Sequence, residues 1–276
     1  MMLVATTAII EEAIRTGTGV GAFNVITLEH AEGIVTGAET VNKPVVLQIS
    51  QNCVRFHGGR LLPIARAAAA VAAESSVPVA LHLDHVQDEL LLRQAADAGF
   101  ASVMYDASTL PYSQNVQVTR NAVEWAHRVG LWVEAELGEV GGKDGAHAPG
   151  VRTDPADAAR FVAETGVDAL AVAVGSSHAM TSQTASLDLE LITRIRAAVP
   201  VPLVLHGSSG VPDSQLRAAV RHGMVKINIG TALNVAFTQA VQAADLRIAD
   251  PRKYLAPARD AVAHTVAHLL GVLSIC

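Results

Sequence analysis

Three histidines carry the first chemical signal in this sequence. His85, His178 and His206 each follow a short apolar run, and Asp84, Asp106, Glu134 and Glu136 lie in or at the ends of neighbouring runs. One histidine at a strand end is ordinarily a packed or hydrogen-bonded residue. Three on separate strands, with carboxylates between them, would be costly to bury without use. Three imidazole nitrogens leave one position open on a tetrahedral ion, which is the layout of a catalytic rather than a structural Zn2+ site. Asp84, beside His85, is placed to act as an acid or base. Ligands drawn from separate strands have no local spacing signature, so spacing alone leaves the grouping open.

A second cue is a pair of small-residue turns, Gly207-Ser208-Ser209-Gly210 and Asn228-Ile229-Gly230-Thr231. Glycine and short hydroxyl residues let backbone N–H groups close around an anion.

These residues need a scaffold that brings eight strand ends to one place. The candidate strands are Val20–Val25, Val45–Ser50, Val79–Asp84, Ser102–Asp106, Trp132–Leu137, Ala169–Val174, Leu203–His206 and Val225–Ile229. They are rich in β-branched residues and lack strict alternation, as strands buried on both faces do. Helical stretches separate them: Glu29–Glu39, Gly59–Glu74, Asp88–Ala98, Ser113–Arg128, Asp154–Glu164, Leu189–Ala198 and Asp213–His222. Met1–Ile10, followed at once by Glu11, Glu12 and Arg15, reads as a first amphipathic helix rather than a signal peptide. Tyr254 onward reads as an added C-terminal helix. The expected fold is α/β, a single-domain (β/α)8 TIM barrel over residues 1–276, whose active face is the carboxyl end of the strands. A doubly wound open sheet is weaker, because no GxGxxG follows the first strand. The polar, glycine-bearing stretch Gly138–Thr153 is a candidate lid.

Half of the 276 residues are hydrophobic and 17% are charged, which suits one large core. The net charge of −6 offers no basic field for nucleic acid, and no apolar run is long enough to cross a bilayer. With two distant cysteines, Cys53 and Cys276, a reducing compartment is expected.

The chain resembles the class II fructose-bisphosphate and tagatose-bisphosphate aldolases over nearly its whole length. The resemblance rests on Gly21-Ala22-Phe23-Asn24, His82-Leu83-Asp84-His85, Val133-Glu134-Ala135-Glu136-Leu137-Gly138, Gly141-Gly142, Leu203-Val204-Leu205-His206-Gly207, Lys226-Ile227-Asn228 and Asp250-Pro251-Arg252-Lys253-Tyr254. It implies reversible cleavage of a ketose 1,6-bisphosphate to dihydroxyacetone phosphate and an aldehyde, with zinc on His85, His178 and His206. It implies Asp84 as the proton-exchanging residue, and Asp106 and Glu136 as a secondary metal position for a displaced or second divalent ion. Gly207, Ser208, Ser209, Asn228, Ile229, Gly230 and Thr231 match the phosphate-holding segments, with room for a monovalent cation. Asn24 matches a residue near the ketone, Ser50 one facing the aldehyde half, and Arg259 one reaching the distal phosphate. A cytoplasmic homodimer or homotetramer acting on a small sugar phosphate, with no nucleic-acid or membrane partner, is expected.

Four departures stand out. Asp144 occupies the loop position where the family usually has a glutamate, Ala179 follows the zinc histidine where glycine is usual, and Ala232 replaces a common acid. Gln51–His57 lacks the usual glycine-containing pattern and reads as a loop. They motivate two alternatives: an aldolase for another phosphorylated keto sugar, such as 6-phospho-5-dehydro-2-deoxy-gluconate, and a sugar-phosphate-binding homologue without turnover. A Schiff base on Lys226 ranks below both. Glu134 and Glu136 are expected on opposite sides of their strand, only one facing the barrel centre. His57, His147 and His222 read as solvated.

Overall fold

The computed structural model describes residues 2–137, 152–176, 180–245 and 247–274. Eight parallel strands close on themselves: β1 (Val20–Asn24), β2 (Val45–Ser50), β3 (Val79–Val86), β4 (Ser102–Tyr105), β5 (Trp132–Glu136), β6 (Ala169–Ala171), β7 (Leu203–Leu205) and β8 (Met224–Ile229). Closure is direct, with Val20 to Phe23 of β1 in register with Lys226 to Ile229 of β8. All eight sequence runs are strands. β6 and β7 stop early, because their last residues turn into the loops that carry the polar groups.

The helices are α1 (Thr6–Thr16), α2 (Leu28–Thr40), α3 (Gln51–Phe56), α4 (Leu61–Glu74), α5 (Glu89–Gln94), α6 (Tyr112–Arg128), α7 (Pro155–Thr165), α8 (Leu189–Ala198), α9 (Asp213–His222), α10 (Thr231–Ala243) and α11 (Arg252–Leu273). Two were not expected. Gln51–His57 is not a loop: Ser50 caps α3 by accepting from the Cys53 N–H at 3.1 Å. α10 has no charged face and a shallow apolar pattern, so its periodicity is weak in the sequence.

The core has two layers. Ile9, Ile10 and Ala13 of α1 pack with Val20, Ala22, Val46, Ala80, Met104 and Trp132, sealing the barrel's amino-terminal end. Outside, the helices cover the strands with a continuous apolar layer that includes Phe23, Leu47, Leu81 and Phe161. α11 lies on α2 so closely that a Cβ at Gly37 would sit 2.4 Å from the Ala263 carbonyl oxygen. With one end plugged and the wall covered, the polar inward residues can reach solvent only at the carboxyl-terminal mouth.

Candidate active site

The strand ends line a mouth cavity of about 620 Å3. Of the sequence-nominated residues, Asn24, Ser50, Asp84, His85, Asp106, Glu136, His206, Gly207, Ser208, Ser209, Asn228, Gly230 and Thr231 line it. Ile229 does not: its side chain packs in the outer core. Arg259 sits on α11, paired with Glu32 at 3.4 Å and Asp260 at 3.3 Å, and is not part of the lining. His178, Asp144, Ala179 and most of the candidate lid lie outside the described residues.

Local irregularity in β3 shapes the site. Asp84 and His85 are sequence neighbours, and in a regular strand they would point to opposite faces. Here the register against β4 shifts between Leu83 and Val86, and His85 takes φ 49°, a left-handed conformation rare for a residue with a Cβ. Both side chains therefore meet the cavity. Such strain is held where the surroundings over-determine it.

Hydrogen bonds fix both imidazoles. His85 Nδ1 meets Asp106 Oδ2 at 3.0 Å, and His206 Nε2 meets Glu134 Oε1 at 2.8 Å. Carboxylates accept only, so these nitrogens carry the protons. The other two, His85 Nε2 and His206 Nδ1, face each other at 3.1 Å. Asp84, His85 and His206 offer atoms all within 4.8 Å of one another, as do His85, Asp106 and Glu136.

The electrostatics call for a cation. Burial pushes His85 down, but Asp84, Asp106 and Glu136 push it up further, to about 10. Burial and the charge of Asp106 push Glu136 up to about 8, and its Oε1 is buried without a hydrogen-bond partner among the described residues. Burial would raise Asp106, yet its bonds from His85 and Ser108 hold it well below the usual carboxylate range. A divalent ion between the facing nitrogens would answer this excess of negative charge, and the donor set of imidazole and carboxylate suits zinc.

Glu134 and Glu136 both point inward, contrary to expectation. Residues two apart on a strand share a face, so alternation places them together; both are buried. Glu134 was missed as a site residue, as were Gln48, which donates to Asn24 Oδ1 at 2.7 Å, and Ser108, which donates to Asp106 at 2.6 Å. The same two-residue spacing from Ser50 and Asp106 would have found Gln48 and Ser108. His57 and His222 are partly buried rather than solvated, meeting the Ile26 carbonyl at 2.8 Å and Thr193 Oγ1 at 2.9 Å.

The two anion-type turns are tied together. Ser208 Oγ donates to the Asn228 carbonyl at 2.5 Å, and Ser209 Oγ accepts from the Ala232 N–H at 3.0 Å. Gly207 has φ 65°, which lets the chain turn sharply after β7. α10 begins at Thr231 beside these turns, and its amino-terminal dipole favours a phosphate there.

Comparison with known proteins finds relatives along nearly the whole chain. The family profile described as fructose-bisphosphate aldolase class-II matches residues 4–275. The fructose-bisphosphate aldolase of Geobacillus stearothermophilus is 40% identical, over 96% of this chain and 95% of its own length. That of Staphylococcus epidermidis is 38% identical with the same coverage. Among solved structures, the YdjI aldolase from Escherichia coli K12 superposes with a TM-score of 0.87 at 32% identity, covering 99% of this chain and 97% of its own. The chain belongs to the class II fructose-bisphosphate aldolase family, a family of metal-dependent lyases.

Proposed function

We propose that this chain reversibly cleaves fructose 1,6-bisphosphate, or its tagatose epimer, to dihydroxyacetone phosphate and glyceraldehyde 3-phosphate. The observation that carries the reading is the juxtaposition of the Asp84 carboxylate with the facing His85 and His206 nitrogens in one cavity with the two phosphate-type turns.

Zinc held by His85, His206 and, from the sequence, His178 would supply Lewis acidity to offset the negative charge that carbon–carbon cleavage leaves on the ketone half. The protein's own groups do the rest. Asp84 is buried and its Oδ1 has no hydrogen-bond partner among the described residues, so it is poised to take the proton of the hydroxyl that becomes the aldehyde. Asn24, oriented by Gln48, would hold the ketone region, and Ser50 faces the aldehyde half. Asp106 and Glu136 offer the secondary metal position. Gly207–Ser209 and Gly230–Thr231 would bind the phosphate of the dihydroxyacetone half through backbone N–H groups. Asp144 is the proposed second acid/base and Arg259 the proposed distal-phosphate contact; both rest on the resemblance. A homodimer or homotetramer in the cytoplasm completes the reading.

The test is aldehyde release over a panel of ketose phosphates with and without a chelator. Chelator-sensitive cleavage of a bisphosphate, restored by zinc, is expected; cleavage indifferent to chelation rejects the mechanism. Preference for a different phosphorylated keto sugar would keep the chemistry and change the substrate.

A further inference from the structure

One fully buried charge is a lysine that does not line the cavity. Lys226 on β8 is fully buried. Its Nζ donates to Glu134 Oε2 at 2.8 Å and to Asn228 Oδ1 at 2.7 Å. The other oxygen of Glu134 receives the His206 Nε2 proton at 2.8 Å. The three side chains form one line, ammonium to carboxylate to imidazole, ending at the nitrogen that faces His85.

Donor and acceptor inventory makes this line directional. An ammonium can only donate, so whatever atom of residue 134 faces Lys226 must be an acceptor. Glutamate offers an acceptor at both ends, and His206 must then keep its proton on Nε2, leaving the Nδ1 lone pair directed at the metal position. The same ammonium fixes the Asn228 amide, whose oxygen faces Nζ and whose N–H2 then lies 3.0 Å from His206 Nε2; the shorter contact with the charged Glu134 carboxylate is the one that decides where the proton sits. We propose that Lys226 is a positioning residue that sets the tautomer and ring orientation of His206 through Glu134, and thereby the protein's affinity for a divalent metal ion. Burial and engagement by two acceptors also explain why it is not a Schiff-base nucleophile.

A rescue experiment tests this. In Glu134→Gln, Lys226 forces the amide oxygen toward itself and the amide N–H2 toward His206. His206 Nε2 must then accept, the proton moves to Nδ1, and the metal nitrogen is blocked. In Lys226→Met/Glu134→Gln, nothing fixes the amide, so it turns and presents its oxygen to His206. Full-length proteins would be titrated with Co2+ against a chromophoric chelator, recording the Co2+ d–d spectrum, with thermal unfolding of the metal-free forms alongside. Glu134→Gln should bind Co2+ roughly 10–100-fold more weakly than wild type, the range for outer-shell partners of metal-bound histidine. The double variant should recover to within about tenfold with the wild-type spectrum, by the same scale.

A double variant as weak as the single, or a single variant as tight as wild type, overturns the proposal. If Glu134→Gln does not fold, the double variant alone decides, by folding and binding within that tenfold window or by failing to. Failure of both to fold shows that the pair holds the barrel rather than the ring, which also overturns it. The proposal rests on the metal reading of the site. Histidine 15N shifts of metal-free wild type and Glu134→Gln separate the two: the His206 proton should move from Nε2 to Nδ1 whether or not Co2+ binds, whereas wild type that binds no Co2+ defeats the metal reading itself.

Discussion

His206 Nδ1 and His85 Nε2 face each other at 3.1 Å across the barrel mouth, although 121 residues separate them in the chain. Each is turned there by a carboxylate on its far side, Glu134 for His206 and Asp106 for His85. A pair of imidazoles held this way has its rotational freedom removed before any ion arrives, which favours tight binding.

Asp84→Asn should lower kcat by about 10²–10⁴, the contribution typical of a positioned acid/base. The amide is nearly isosteric, so zinc affinity and the unfolding temperature should stay close to wild type. Steady-state kinetics beside chelator competition read both, and an unchanged kcat would remove Asp84 from the mechanism.

Gly207→Ala should weaken phosphate binding rather than the chemical step. Alanine at φ 65° costs roughly 1–2 kcal/mol, or about 5–30-fold. Relief by rotating the turn would move the backbone beside Ser208 and Ser209. We expect KM for the phosphorylated ketose to rise by that factor with kcat changed less; a rise confined to kcat would place the phosphate elsewhere.

Metal-free protein should lose stability as pH rises from about 6.5 to about 8, where both raised groups contribute, and more gradually beyond that through His85 alone. His85 is raised to about 10 from 6.5 and Glu136 to about 8 from 4.5. Both folded values exceed the unfolded ones, so the folded state holds more protons in that window and its stability falls as pH rises. Below about pH 6.5 the sign reverses for His82 and His30, which burial lowers to about 3 and about 4. Those groups favour folding less as acid is added. Thermal melts of chelator-treated protein from pH 5 to pH 9, at roughly half-unit steps, should peak near neutrality. With zinc bound the alkaline fall should vanish, because the ion replaces the protons. A midpoint that climbs steadily to pH 9 without metal contradicts the charge balance described for the site.

Gly37→Ala should destabilise the fold without touching the site. The added methyl would meet the Ala263 carbonyl at 2.4 Å, so α2 and α11 must separate. Overpacking of this kind costs about 1–3 kcal/mol. Chemical denaturation measures it, and kcat/KM of the folded enzyme should be unchanged.

Much of this was legible in the sequence. Eight apolar runs bounded by glycine, proline and acids, with helical stretches between them, pointed to a parallel α/β sheet, and the missing GxGxxG after the first run favoured a closed barrel over an open one. The histidines and acids at their ends then had one face on which to meet. The two turns after β7 and β8 were legible for the same reason, since small residues at strand ends are a local signal.

What the tertiary structure alone decided is orientation. Asp84 and His85 share the cavity only because β3 slips register against β4 and His85 adopts a left-handed backbone, and no pattern of residue types encodes a slip between two strands. The partnership of Lys226, Glu134 and His206 joins β8, β5 and the end of β7, and so depends on the closure of the whole sheet. Arg259, matched by resemblance to a phosphate contact, is paired in the fold with Glu32 of α2 and with its neighbour Asp260, an arrangement its local sequence does not announce. Residue types set which chemistry was available; through-space electrostatics and the geometry of a closed barrel set which of those groups could act together.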